Sequence, residues 1–179
     1  MKRTLVLALV ASVALVSMPA SAQLSLVKPI SIGIAGGGSL PMSDFADANK
    51  TGYNGTLVVA LKLPVIPVGL RLDGAYNRFA YKGVDGNLQM ASATGNLTYN
   101  LPSIGISPYL IGGAGMYSWV QSVDGLPSTD RENDFGWNAG AGIKLPLVMF
   151  STFVEARYNR VSVGDGHVDF VPVTFGIMF

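Results

Sequence analysis

Four charged residues stand out by their spacing. Arg71 and Asp73 lie two apart in one alternating segment, and Glu155 and Arg157 lie two apart in another. Residues two apart on a strand project from the same face. Two acids and two bases facing one interior could line a polar conduit or gate. They could instead pair into a salt-bridge network that plugs a narrow lumen. Buried charges must be paired, and the space inside eight strands is about filled by side chains, so the plug is expected. Lys62 and Lys144 share the inward parity, close to short connections.

The other candidates are weaker. The single histidine lies in Gly164-Asp-Gly-His-Val-Asp169. Ser162 and Asp169 are near it, and a hydrolase needs such a nucleophile, base and acid. Their parity is unconvincing and no hydrolase motif surrounds them, so His167 is expected in an exposed loop and no catalytic residue is assigned. The acids between Asp124 and Asp134 could offer oxygens to Ca²⁺ but lack an EF-hand spacing. With no cysteine in the chain, a disulfide framework and a thiolate metal site are excluded, and no metal or cofactor is assigned. Gly36-Gly-Gly38 would cradle phosphate only by opening a helix. No helical pattern follows, so these glycines are expected to relieve a strand. Asn54-Gly-Thr56 and Asn96-Leu-Thr98 match a glycosylation pattern that carries no weight inside a bacterial strand.

The elements that must position these residues are strands. Alternation marks eight segments, roughly 29–38, 53–63, 68–79, 88–101, 106–119, 134–145, 149–161 and 169–179. In 149–161, Thr152, Val154, Ala156 and Tyr158 oppose Phe153, Glu155, Arg157 and Asn159. In 68–79, Leu70, Leu72 and Tyr76 oppose Arg71, Asp73, Ala75 and Asn77. Repeated period-2 segments of about ten residues are the signature of transmembrane strands. The connections alternate too. Those near 63–67, 101–105 and 145–148 are short and carry proline, whereas 39–52, 80–87, 120–133 and 162–168 are longer and polar. Short turns on one rim and long loops on the other predict an all-β, eight-stranded antiparallel up-and-down transmembrane β-barrel.

Composition sharpens the choice of solvent. Charged residues are 13% of the chain, against roughly 25% in ordinary soluble domains. No stretch past the N-terminal region reaches the ~18–20 apolar residues of a membrane helix. A soluble lipocalin-like barrel would show water a face rich in Lys and Glu. Here the second face is mainly Gly, Ala, Ser, Thr and Asn, small enough for the inside of a narrow barrel. Tyr53, Tyr117, Trp119, Phe135, Trp137 and Tyr158 fall toward the long-loop ends, and Tyr99, Tyr109 and Phe179 toward the short turns. Two clusters at opposite strand ends predict aromatic girdles at the lipid headgroups.

The N-terminus reads as an export signal. Lys2 and Arg3 precede an apolar stretch from Leu5 to Val16, and Pro19-Ala-Ser-Ala22 offers a cleavage site. Residues 1–22 are therefore expected to be removed, leaving a domain over 23–179 that starts at Gln23. As a membrane anchor the stretch is too short. Losing Lys2 and Arg3 leaves a nearly neutral chain, which does not suggest nucleic acid as a partner.

Three passages carry a resemblance. They are Ile32-Gly-Ile-Ala-Gly-Gly-Gly-Ser-Leu-Pro-Met-Ser-Asp-Phe45, then Pro108-Tyr-Leu-Ile-Gly-Gly-Ala-Gly-Met-Tyr117 with Phe135-Gly-Trp-Asn-Ala-Gly-Ala-Gly-Ile143, and the last strand ending on Phe179. In these the chain resembles the outer-membrane β-barrel domain family, the small eight-stranded barrels of the OmpX, OmpW and opacity-protein kind. The resemblance implies an integral protein of the bacterial outer membrane, in contact with its lipids and lipopolysaccharide. It also implies that Phe179 is the assembly signal for the barrel-insertion machinery. It says little of function, because this scaffold hosts adhesins, structural proteins, pores and enzymes. The expected role is structural or surface-interacting and non-enzymatic, with an unknown ligand for the loops. The alternatives are a narrow pore or conduit for small or hydrophobic solutes, and, behind it, a lipid-modifying enzyme.

Overall fold

The computed structural model describes residues 30–63, 66–125 and 127–179. The expected export signal and its cleavage site lie outside them. Eight strands follow in order among the described residues: β1 Ile30–Met42, β2 Gly52–Lys62, β3 Val68–Ala80, β4 Gly86–Asn100, β5 Ser107–Val123, β6 Glu132–Pro146, β7 Ser151–Val163 and β8 Gly166–Met178. Each pairs antiparallel with the next, and β8 returns to β1 to close a barrel. Just past β8, Phe179 exchanges two backbone hydrogen bonds with Ile32: its N–H donates at 2.8 Å and its carbonyl accepts at 3.1 Å. The seam is thus zipped to the last residue.

Side-chain parity sorts the two faces. Leu57, Leu72, Leu97, Val154 and Phe175 stand exposed on the outer wall, while Arg71, Asp73, Asn96, Glu155 and Thr174 are buried inside. Water would not tolerate so apolar an outer wall. A bilayer requires it, and closing the barrel leaves no unpaired backbone edge in hydrocarbon.

The strands run further than the hydrophobic pattern alone suggests. β5 has 17 residues, where about 9–11 tilted residues span the hydrocarbon. The excess lies on the loop side. Ser122 pairs with Asn87, Trp119 with Glu132, and Ser162 with His167. Polar composition there marks water, but the backbone ladder continues regardless of which side chains it carries. The connection from β7 to β8 therefore shrinks to Gly164 and Asp165, with Gly164 at φ +54°.

One element was not expected. A short helix, α1, spans Ser43–Ala48. It follows the glycine run but is not opened by it, since Gly36, Gly37 and Gly38 stay inside β1. Six residues are too few for a helical period to show in a sequence. The helix folds over the loop-side mouth, where an isolated bridge pairs Asn49 with Tyr81.

Candidate functional site in the barrel lumen

β3 and β7 lie across the eight-stranded ring from each other, so their inward side chains converge on the axis. Four charges meet there in a closed, alternating ring. Arg71 Nε is 2.7 Å from Asp73 Oδ1, and its Nη1 is 2.8 Å from Glu155 Oε2. Arg157 Nη1 is 2.8 Å from Asp73 Oδ2, and its Nε is 2.6 Å from Glu155 Oε1. All four side chains are buried. Two acids and two bases sum to zero, the condition under which charge survives in a poorly hydrated interior.

Neutral donors complete the ring. Tyr109 Oη donates to Glu155 Oε2 at 2.7 Å, and Asn96 Nδ2 donates to Asp73 Oδ2 at 3.1 Å. Asn138 Nδ2 donates in turn to Asn96 Oδ1 at 2.9 Å. The room comes from glycine on β6. A methyl group at Gly142 would collide with the Tyr109 ring, and one at Gly140 would collide with Arg157. Lys62 and Lys144 do not join the ring. Lys144 Nζ sits 5.9 Å from the Tyr109 ring centre, nearer the turn-side opening.

Above the charges the lumen changes character. A polar space of about 30 Å³ touches Asn77, Thr94, Arg157 and Asn159, room for a water or two. A layer of buried apolar side chains then closes the bore: Phe79, Met90, Tyr117, Trp119, Val161 and Phe170. Tyr117 Oη donates to Asn159 Oδ1 at 2.9 Å, and Trp119 Nε1 to Asp134 Oδ2 at 2.7 Å.

That layer corrects the girdle expectation at two positions. Tyr117 is 1% exposed and Trp119 7%, so both point inward. Tyr109, expected near the turn-side girdle, is buried as well. Height along the strand suggested a girdle, but parity decides the face. Tyr109, Tyr117 and Trp119 share parity with Gly113 and Gly115, and Tyr117 pairs with lumen-side Ser92. Counting from those small residues would have placed all three inside. Tyr53, Phe135 and Trp137 do stand on the outer wall, and the Trp137 and Tyr158 rings lie 5.7 Å apart.

His167 corrects a second expectation, because it lies on β8 and not in a loop. Ser162, His167 and Asp169 in fact share the outer face at the loop-side rim, with Ser162 directly opposite His167. Both Asp169 oxygens, however, are taken by Arg160, Nε to Oδ1 at 2.9 Å and Nη2 to Oδ2 at 2.8 Å. His167 Nε2 stands 3.5 Å from Oδ2, so the nitrogen that would accept a proton from serine faces the acid. Among the described residues, no set of three or more His, Asp or Glu side chains is placed to hold a metal.

Solved barrels share this architecture. A crystal structure of Neisserial surface protein A superposes with a TM-score of 0.63 at 12% identity, covering 84% of this chain and 96% of that one. Ail of Yersinia pestis, crystallised with the heparin analogue sucrose octasulfate, gives 0.56 at 21%, covering 84% and 97%. The outer membrane enzyme PagL gives 0.57 at 13%, covering 83% and 98%. At these identities the likeness is one of fold. A comparison with curated protein sequences finds no significant match. The profile of the outer membrane protein beta-barrel domain matches residues 8–179, and with its closed eight-stranded barrel the chain belongs to that family, an integral β-barrel of the bacterial outer membrane.

Proposed function

We propose that this barrel is closed and non-enzymatic, and that it serves the envelope as a structural or surface-interacting protein through its outer wall and loops. The observation that carries this reading is the ring of Arg71, Asp73, Glu155 and Arg157 across the lumen. A solute would have to break several charge-assisted hydrogen bonds to pass it. The apolar layer above is a second obstruction of opposite chemistry. The fold alone selects no role, since the names of its solved neighbours range from surface protein to enzyme.

On this reading the barrel-insertion machinery takes up the chain through Phe179, and outer-membrane lipids and lipopolysaccharide are its standing partners. The outward-facing Tyr53, Trp137 and Tyr158 would lie at the headgroups. Planar-bilayer recording of the refolded protein tests the central claim. Silence at moderate voltage is expected, and a steady conductance in the wild-type protein would establish the pore instead.

A further inference from the structure

The turn-side mouth of the lumen carries positive charge that the ring does not balance. Lys62 on β2 and Lys144 on β6 share the inward parity and stand on strands that face each other across the barrel. Side chains of this length meet on the axis one layer deeper, where Arg71 on β3 reaches Glu155 on β7. Both lysines line one polar space of about 40 Å³, whose wall is completed chiefly by Ser31, Thr98, Asn100 and Tyr109. A methyl group at Gly69 would strike Thr98 Oγ1, so glycine there leaves the hydroxyl its room. The space takes about two or three waters, or one small oxyanion in their place.

The carboxylates of the chain are elsewhere. Apart from Asp73 and Glu155, every aspartate and glutamate lies on the loop side, in or beside α1 and the β3–β4, β5–β6 and β7–β8 connections. Glu155 is the acid that bears on Lys144, but both its oxygens are engaged, Oε1 by Arg157 and Oε2 by Arg71 and Tyr109. Phe179 O stays on the seam, where the Ile32 N–H donates to it at 3.1 Å. Among the described residues, neither lysine has a carboxylate within 4.0 Å. Lys62 and Arg71 instead act on the Lys144 ammonium as like charges. A narrow mouth with low-dielectric walls focuses such a field and concentrates anions in it.

We propose that the turn-side mouth binds a phosphate group, held between Lys62 and Lys144, with the Ser31 and Thr98 hydroxyls donating to its oxygens. A divalent oxyanion balances two ammonium groups with a single occupant, and the space is too small for two separate anions. Free phosphate and the headgroup of a lipid in the turn-side leaflet present the same oxygens. The site lies on the turn side of the ring, so it does not depend on whether the lumen is closed or on what the loops meet.

Amine labelling tests it, with Lys50 and Lys82 on the loop side as internal controls. The refolded protein, in dodecyl maltoside micelles that contain no phosphorus, is treated briefly with acetic anhydride. Peptide mass spectrometry reads the modification at each lysine. Inorganic phosphate is titrated against sodium chloride of equal ionic strength. Phosphate should slow acetylation of Lys62 and Lys144 several-fold and saturably, and leave Lys50 and Lys82 unchanged. Lys144→Met should remove the protection of Lys62, because one ammonium then faces the anion alone. If Lys144→Met does not fold, the ion series on the wild-type protein still decides. A second series replaces free phosphate by phosphatidylglycerol mixed into the micelles. Protection by either supports the site, and whichever acts alone identifies its source. Protection by neither, protection equally strong in chloride, or Lys62 still protected in Lys144→Met would overturn the proposal.

Discussion

Arg157 on β7 and Asp73 on β3 meet across the barrel axis, with Nη1 2.8 Å from Oδ2. The same guanidinium holds Glu155 on its own strand through Nε. Each acid is thus shared by both arginines, and no member can be removed without leaving charge unbalanced. Glu155→Ala should destabilise the barrel by about 3–5 kcal/mol, because two arginines then share one carboxylate. Adding Arg157→Ala leaves Arg71 with Asp73 as a neutral pair and should restore part of the loss. Reversible urea unfolding in liposomes measures the cycle. A double mutant equal to the sum of the singles would dissolve the idea of a coupled ring.

Leu72 and Val154 stand exposed on the outer wall. Arginine at either position should cost about 2–4 kcal/mol near mid-membrane. Ala75 borders the small polar space inside, and Ala75→Ser should change stability by less than about 0.5 kcal/mol. Equal costs on the two faces would reverse the assignment of inside and outside.

Gly142, which faces the lumen, can be compared with Gly55, which faces the outer wall. A methyl group at Gly142 meets the Tyr109 ring, while one at Gly55 meets nothing within 4 Å. Gly142→Ala should cost about 1–3 kcal/mol through overpacking. Gly55→Ala should be close to neutral. If thermal unfolding finds the two alike, Tyr109 is not seated against β6 as described.

The two tryptophans should report different surroundings. Trp137 is 42% exposed on the outer wall and Trp119 is 7% exposed inside. In bilayers of brominated lipid, a variant retaining only Trp137 should be strongly quenched. A variant retaining only Trp119 should keep most of its emission. Comparable quenching would return Trp119 to the lipid face.

Processing of the N-terminus is open to direct measurement. Intact-mass analysis of protein from outer membranes should give a chain beginning at Gln23. Retention of residues 1–22 would show that the apolar stretch is not cleaved.

The sequence by itself determined the outline. Period-2 alternation is local, so the inward parity of Arg71, Asp73, Glu155 and Arg157 is legible without any knowledge of neighbours. The alternation of proline-bearing turns with polar loops gives the two rims. Strand ends were less legible, because the ladder past Trp119 and Ser162 is held by backbone groups that every residue carries. Closure decided the rest. Which inward side chains meet depends on strand number and stagger around the ring, properties no single segment contains. Arg157 therefore finds Asp73, and Tyr109 finds Glu155, only once β1 has paired with β8. Tyr117 and Trp119 show both sides: their parity was in the sequence, but only the packed lumen showed that an inward aromatic layer could fit there. The covered mouth belongs wholly to the tertiary structure, since Asn49 and Tyr81 become neighbours only when α1 folds back over the strands.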